Sequence, residues 1–315
     1  MRNIVGAFDP SNRWFDKSFS LFVSTDGEAA INFEHAWGDG VGVLRMINEI
    51  VEDSRDKVYL KNAPSTNIDI NVTTIEFDLD AGIKETIKKA DATFKAALGN
   101  VEFTSLAFEG LGKRQCKAKG LGPDSVMQSA FQIAYQRQFD GKVPATYESC
   151  STAAYKKGRT ECVRSCTVET KAVARAFNSS TRVSKEEKLR LLQETSKKHN
   201  ELTKNGAMGQ GWDRHLFAMR DLSSNILQEP ALPELFLDPH YANINKNVLS
   251  TSTLSTDNVV RGGFCPVVPN GFGLPYMISK DQCGASVSAY KDQNSATQFA
   301  DTLKTVLEEL RQTLD

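Results

Sequence analysis

Four histidines, six cysteines and no G-x-S-x-G pentapeptide are what this chain offers to nucleophilic chemistry. The nearest string to that elbow, GASVS from Gly284 to Ser288, lacks the final glycine, which disfavours a serine hydrolase. Cys116, Cys150, Cys162, Cys166, Cys265 and Cys283 are too few and too scattered for a disulfide scaffold, and none stands in a catalytic signature. Cys162 and Cys166 lie four apart, but no second pair or nearby histidine completes a zinc site, so reduced intracellular thiols are the expectation. There is no run of eighteen apolar residues, hence no bilayer span. A net charge of -1 gives no global reason to expect nucleic acid or a membrane surface as partner. The start, MRNIVGAFDPSNRWFDKSF, has neither the apolar stretch of a signal peptide nor the acid-poor pattern of a transit peptide, and EELRQTLD is no peroxisomal address. The residues alone leave the compartment open.

What is present is globular material. The 315 residues, 40% of them apolar, suffice for two modest domains or one large one, without low-complexity tracts or internal repeats. SFSLFVS and EAAINFEH flank Asp26-Gly27 and read as a β-hairpin. The period of two puts Ile31, Phe33 and His35 on one face, so His35 ends a strand on an otherwise apolar side. Gly38 and Gly40 break the strand, and VGVLRMINEIVED follows with helical spacing at Val43, Ile47 and Ile50. Residues 57–74 look like a polar surface excursion. TIEFDL reads as a strand, AGIKETIKKADATFKAAL as a helix, Gly112 to Asp124 as a basic loop, and SVMQSAFQIAYQRQF as a helix. TYESCST is strand-like; KEEKLRLLQETSKKHNELTKNG is a charged amphipathic helix ended by Gly206; another helix runs from about Trp212 to Leu222. VLSTSTL, GFCPVV and GASVSAY are short strand candidates, and FADTLKTVLEELRQTL is an amphipathic helix. The irregular alternation predicts an α/β (α+β) fold with a mixed β-sheet covered by helices.

FEHAWGDGVGVL holds the first candidate for chemistry. Asp39 lies one tight glycine turn from His35 and can accept a hydrogen bond from one ring nitrogen, fixing the tautomer and leaving the other nitrogen as a base. A histidine base without a protein nucleophile suggests direct transfer, in which it deprotonates one substrate to attack another. In VLSTSTLST, Ser250 and Ser252 face one way and Thr251 and Thr253 the other; such a row is either edge decoration or a donor to an oxyanion. Tyr147 and Ser149 share a face as donors to a small polar ligand would, and Arg214 either grips a carboxylate in a fork or pairs with a neighbouring acid. Lys113, Arg114, Lys117 and Lys119 make four basic residues in eight positions, a solvated loop or a holder of a phosphorylated ligand, with no P-loop pattern.

Together, FEHAWGDGVGVLR, TYESCSTAAYKKGRTE, AMGQGWDRHLFAMR, VLSTSTLST and GGFCPVVPNGFGLPY resemble the carnitine/choline acyltransferase family, in order and over essentially the whole chain. The resemblance implies a coenzyme A-dependent acyltransferase fold and reversible acyl exchange between coenzyme A and carnitine. It implies His35 as general base, Asp39 as its acidic partner and Ser252 as the oxyanion donor. Tyr147, Ser149, Thr160 and Arg214 take the positions that hold the carnitine carboxylate, and Phe264 the position beside the trimethylammonium group, a cation–π contact. The segment with Gly112, Lys113, Arg114, Lys117, Lys119 and Asp124 falls on the coenzyme A site. Short-chain members carry a bulky side chain where Gly262 stands; glycine at 262 and 263 leaves a tunnel open, and each buried methylene contributes roughly 0.8 kcal/mol, so a long, palmitoyl-like acyl group is expected. No permanently bound cofactor is expected, with acyl-coenzyme A as co-substrate, L-carnitine as partner substrate and no nucleic acid. Mitochondrial placement on the matrix side of the inner membrane, a place in fatty acid β-oxidation and peripheral membrane association follow from the resemblance alone.

The chain departs from that pattern in length. Family members are about twice as long, with two similar halves and the active site in a tunnel between them; here only 34 residues precede His35. The expectation is that residues 1–78 correspond to the end of the first acyltransferase domain and residues 79–315 to most of the second. A truncated or mis-started reading frame is favoured over a genuine short product, because a severed sheet would expose a wide apolar edge. The alternative function is a non-catalytic or partner-dependent fragment that keeps its ligand contacts.

Overall fold

Residues 24–28 are where the chain first doubles back. In the computed structural model, which describes residue 4 and residues 10–57, 73–228, 230–253 and 255–315, strands β1 (Phe19–Val23) and β2 (Ala29–Phe33) pair antiparallel, Phe19 opposite Phe33 and Val23 opposite Ala29. The turn is wider than the two residues Asp26-Gly27: the Ser24 amide donates to the Glu28 carbonyl at 2.9 Å. Gly27 adopts the left-handed φ of +86° that closes such a loop. Helix α1 (Gly40–Asp56) follows. Val43 is buried on it, whereas Ile50, expected on the same inward stripe, is 55% exposed. Helix α2 (Ala81–Asn100) packs Phe94 against Phe15, ring centroids 5.4 Å apart.

Two expectations in this region change. Most of the polar excursion at 57–74 lies outside the described residues. TIEFDL belongs to no strand, and Ile75 and Phe77 are about three-quarters exposed, at 75% and 74%. Alternation of apolar residues makes a strand only where a neighbour supplies the ladder, and none of the described strands pairs with it.

The described chain packs as two compact units, one ending at Gly99 and the other running Asn100–Asp315. Packing therefore parts the chain at the C-terminal end of α2.

The second unit is built on a six-stranded mixed sheet in the order β3-β8-β7-β6-β4-β5. Its strands are β3 (Val101–Glu109), β4 (Thr146–Ser151), β5 (Thr160–Val163), β6 (Leu249–Thr253), β7 (Phe272–Ile278) and β8 (Gln282–Tyr290). β6 runs parallel to both β4 and β7, and the other pairings are antiparallel. Helices α3 (Lys113–Ala118), α4 (Pro123–Gln138), α5 (Val168–Phe177), α6 (Lys185–Ala207), α7 (Asp213–Asp221), α8 (Glu234–Leu237), α9 (Pro239–Ile244) and α10 (Ala296–Leu314) complete it. α4 is buried all round from Ser125 to Gln136. α10 is amphipathic, with Phe299, Leu303, Val306, Leu307 and Leu310 fully buried. Both lie on one face of the sheet: Phe131 meets Tyr276 edge-on at 5.6 Å, and Phe272 stacks on Phe299 at 4.4 Å.

Three local readings are corrected. Gly112 to Asp124 holds helix α3 rather than a continuous loop, because Cys116 and Leu121 are buried anchors and the Gly112 amide donates to Gln115 Oε1 at 3.1 Å, starting the turn. GFCPVV is not a strand; Pro266 has no N–H to give a ladder, and the strand comes at β7 instead. Gly206 sits inside α6, and the chain leaves that helix through Gly209 at φ +67°.

The closely packed α10 supplies the test of this arrangement. Leu303→Ala should cost about 2–5 kcal/mol of unfolding free energy in a denaturant titration; an unchanged midpoint would contradict the packing.

Candidate active site

Residues 34–39 join β2 to α1 and are tied at both ends. The Glu34 amide and the Trp37 indole N–H both donate to the Ser18 carbonyl, at 3.1 and 2.7 Å, and the Ala36 amide donates to the Glu34 carboxylate at 2.8 Å. Asp39 is the N-cap residue of α1, in extended backbone. From this loop His35 brings Nδ1 to 3.7 Å from Asp39 Oδ1, with the histidine side chain 66% exposed and the aspartate 16%. That separation is longer than a hydrogen bond. The expected apolar setting is therefore half right: the imidazole lies 5.5 Å from the Phe33 ring yet faces outward.

The second unit gathers most of the remaining candidates on one face of its sheet. In β4 the period of two sends Thr146, Glu148 and Cys150 into the packed layer and Tyr147 and Ser149 the other way. Parallel pairing sets Tyr147 beside Ser250 and Glu148 beside Thr251. On the packed side Gln132 donates to the Thr146 hydroxyl at 2.6 Å and Gln128 to the Thr251 hydroxyl at 2.9 Å. On the other side the Ser149 and Ser252 hydroxyls are 3.5 Å apart, the Arg214 guanidinium donates to the Tyr147 hydroxyl at 3.1 Å, and it reaches the Thr160 carbonyl at 3.4 Å. Burial pushes the Tyr147 phenol up, against the opposing pull of Arg214. Tyr147, Ser149, Thr160, Arg214 and Ser252 thus converge, with the Arg214 guanidinium held beside the Tyr147 hydroxyl.

Phe264 reaches the same face because Gly273 makes room. Gly273 stands opposite Ser250 on one side and Ser288 on the other. A Cβ there would fall 2.6 Å from the Phe264 carbonyl oxygen and 2.4 Å from the Ser288 hydroxyl oxygen. The Ser288 hydroxyl instead donates to that carbonyl at 2.6 Å. Gly262 and Gly263 lie half-buried in the segment that precedes Phe264, outside any strand.

The basic residues occupy α3 and its flanks. Lys113, Arg114 and Lys117 are exposed, and Lys119 is half-buried at the helix end. Gly112 admits no side chain: a Cβ would stand 2.7 Å from the Gln282 amide nitrogen and from the Lys280 carbonyl oxygen. Arg114 pairs with Asp281 at 2.5 Å. Asp124, in the first turn of α4, accepts the Tyr276 hydroxyl at 3.0 Å and so faces inward as well.

Several residues around these strands escape a reading of the sequence. Arg164 is 10% exposed and pairs with Asp213, 7% exposed, at 2.5 Å. Its guanidinium also donates to the Ile244 carbonyl and to the side chains of Asn247 and Asn245. Glu161 accepts the Cys162 and Arg214 amides at 2.7 and 3.1 Å, an anion at the start of α7. Gly211 permits this, since a Cβ would meet Glu161 at 2.4 Å. Alternation within TECV could have flagged Glu161 as an inward acid. The cysteines are no rivals as nucleophiles: burial pushes Cys116 and Cys166 up to about 11 and Cys162 and Cys283 to about 12.

Removing one half of the buried pair should be felt. Asp213→Ala leaves the Arg164 guanidinium uncompensated and should cost about 3–5 kcal/mol in chemical denaturation. Asp91→Ala, which breaks an exposed pair with Lys95, should stay within about 0.5 kcal/mol; equal effects would contradict the difference in burial.

Known proteins align with this chain along nearly all of it. The choline/carnitine O-acyltransferase family model matches residues 3–305. Carnitine O-palmitoyltransferase 2, mitochondrial, of Mus musculus is 44% identical over 311 residues, covering 98% of this chain and 47% of that protein. The Homo sapiens protein of the same name is 45% identical over 311 residues, with 98% and 47% covered. Carnitine O-acetyltransferase of Mus musculus is 30% identical over 306 residues, 96% of this chain and 48% of that protein. The chain spans about half the length of these relatives. A solved wax ester synthase/diacylglycerol acyltransferase from Marinobacter aquaeolei VT8 overlays 91% of this chain and 68% of its own at TM-score 0.44 and 13% identity. A family match running from residue 3 to residue 305 leaves one conclusion: the chain belongs to the choline/carnitine O-acyltransferase family.

Proposed function

We propose that this chain carries the machinery of a long-chain carnitine O-acyltransferase, moving an acyl group reversibly between the coenzyme A thioester and the carnitine hydroxyl. The observation that carries the reading is the convergence of Tyr147, Thr160 and Arg214 beside the Ser149–Ser252 pair on one sheet face. A phenol, two further hydroxyls and a guanidinium suit a carboxylate, and Phe264 supplies an aromatic face for a quaternary ammonium.

In this reading His35 takes the proton from the carnitine hydroxyl. The oxygen attacks the thioester carbonyl, and the Ser252 hydroxyl donates to the oxyanion that forms. The C–S bond then breaks, and the sulfur leaves with the proton returned from His35. Asp39 orients the imidazole; a separation of 3.7 Å is one that catalytic pairs close when substrate arrives. Lys113, Arg114, Lys117 and Lys119 attract the phosphates of coenzyme A, with Gly112 and Asp124 shaping that segment. Gly262 and Gly263 leave room for a long acyl chain. Residues 1–78 are assigned to the family's first domain and residues 79–315 to its second. The mitochondrial address borne by the palmitoyltransferase relatives is carried over as part of the same proposal.

Thiol release from palmitoyl-coenzyme A, with and without L-carnitine, tests it. Carnitine-dependent release is expected, falling at least ~100-fold in His35→Gln. Carnitine-independent release would overturn the transfer reading, and L-carnitine binding without release would assign the chain a binding role alone. Gly262→Met should shift preference toward shorter acyl groups, read as the ratio of octanoyl to palmitoyl turnover; an unchanged ratio would remove this glycine from the tunnel.

A further inference from the structure

Directly behind the hydroxyl face, on the packed side of β4, lies a cluster of buried ionisable groups that the reaction above does not use. His199 of α6 brings Nε2 to 2.9 and 3.0 Å from the two carboxylate oxygens of Glu148, with the side chains 7% and 9% exposed. Tyr276 of β7 donates to Asp124 of α4 beside them. The Ser165 hydroxyl donates to Gln128 Oε1 at 2.7 Å, Gln128 donates to the Thr251 hydroxyl, and that hydroxyl donates to the Tyr147 carbonyl at 2.8 Å. Glu148 is the residue between Tyr147 and Ser149. Its carboxylate and the carbonyl just before it are therefore both held from the rear, while the side chains on either side of it point forward.

A buried ion pair is weak support for stability, because desolvating two charges offsets most of their attraction; what it does supply is a fixed register. An apolar side chain at 148 would pack behind β4 in several ways, whereas a carboxylate gripped by one imidazole has a single place. We propose that His199 is a positioning residue: its pair with Glu148 sets β4 so that Tyr147 and Ser149 keep their places on the ligand face. The structural half of this inference stands alone, and its ligand half rests on the proposed carnitine site.

Charge state gives the pair a pH signature. Burial draws the His199 ring toward neutrality, but Glu148, with Asp124 behind it, overcomes this and pushes the ring up. Burial pushes Glu148 up, with His199 opposing. The charged groups acting on the ring are Glu148 from β4 and Asp124 from α4; Cys150 and Tyr276 act on the Glu148 side of the pair, and Ser165, Thr167 and Thr170 on the α5 side are neutral hydroxyls. A histidine raised on folding contributes its stabilisation fully below the unfolded value and loses it as pH rises through the folded one.

Amide hydrogen exchange across Thr146–Ser151, with α10 as internal reference, is the measurement, joined by L-carnitine calorimetry on the same full chain. In His199→Gln and in Glu148→Gln the β4 amides should exchange at least ~10-fold faster while α10 is unchanged, and carnitine affinity should fall by a similar factor. In the unaltered chain the same amides should loosen as pH passes upward through the His199 titration, after correction for the intrinsic rate; this arm decides the matter if a variant does not fold. Unchanged β4 exchange, or equal loosening of β4 and α10, would overturn the positioning role. If the unaltered chain binds no carnitine, the proposed function falls, and exchange still decides whether His199 positions β4.

Discussion

A strand alternates its side chains, so Thr146–Ser151 must send Thr146, Glu148 and Cys150 into a packed layer while Tyr147 and Ser149 go the other way. A six-residue segment is thus required to satisfy a carboxylate in a dry interior and to present hydroxyls on the reverse. Both demands are met because neighbours on each side are polar in the right places: His199, Gln128 and Gln132 behind, Arg214 and Ser252 in front. The rest of the second unit can be understood as what brings those partners to β4. α6 presents Leu192, Thr195, Ser196 and His199 inward, a stripe more polar than apolar. α4 contributes Gln128 and Gln132 from a helix with no exposed side.

The same logic runs through the other buried charges. Arg164 finds four oxygen partners and Glu161 two amides, so neither is left to bear its desolvation alone. Exposed pairs such as Arg190 with Glu187 and Glu194 decorate a helix surface and contribute little, being hydrated on all sides. Where charge is buried here, it anchors a residue one step along the chain: Asp213 sits next to Arg214, and Glu148 next to Tyr147 and Ser149.

Much of this was legible in the residues. The hairpin, the long helices and the amphipathic C-terminal helix follow from periodicity, and TYESCST and VLSTSTL place their hydroxyls as alternation dictates. β7 was not legible, because Pro275 argues against a central strand. The structure accommodates it by letting the ladder to β8 lapse: Gly273 and Tyr276 pair with Ser288 and Ala285, and no pairing is made at Leu274 and Pro275. The polar inner stripe of α6 hides its burial from any hydrophobic pattern. α3 was missed because its basic residues face outward and its anchors, Cys116 and Leu121, are few. The convergence of Tyr147, Thr160 and Arg214 needs the sheet order, which no local pattern encodes.

That order also constrains how the molecule comes into being. Among the described strands β3 pairs with β8 alone, so the earliest strand of the sheet waits for the last one to be synthesised. Ser149 and Ser252, neighbours across the central strands, are 103 residues apart in the chain. Closing such long loops is entropically slow, whereas β7 and β8 meet across a short turn. On a ribosome, therefore, the hydroxyl face waits for β6 and the far edge of the sheet for β8: β4 can pair with β5 soon after it emerges, but β3 stays a bare ladder, and a nascent chain halted before β8 would present it to any holdase within reach.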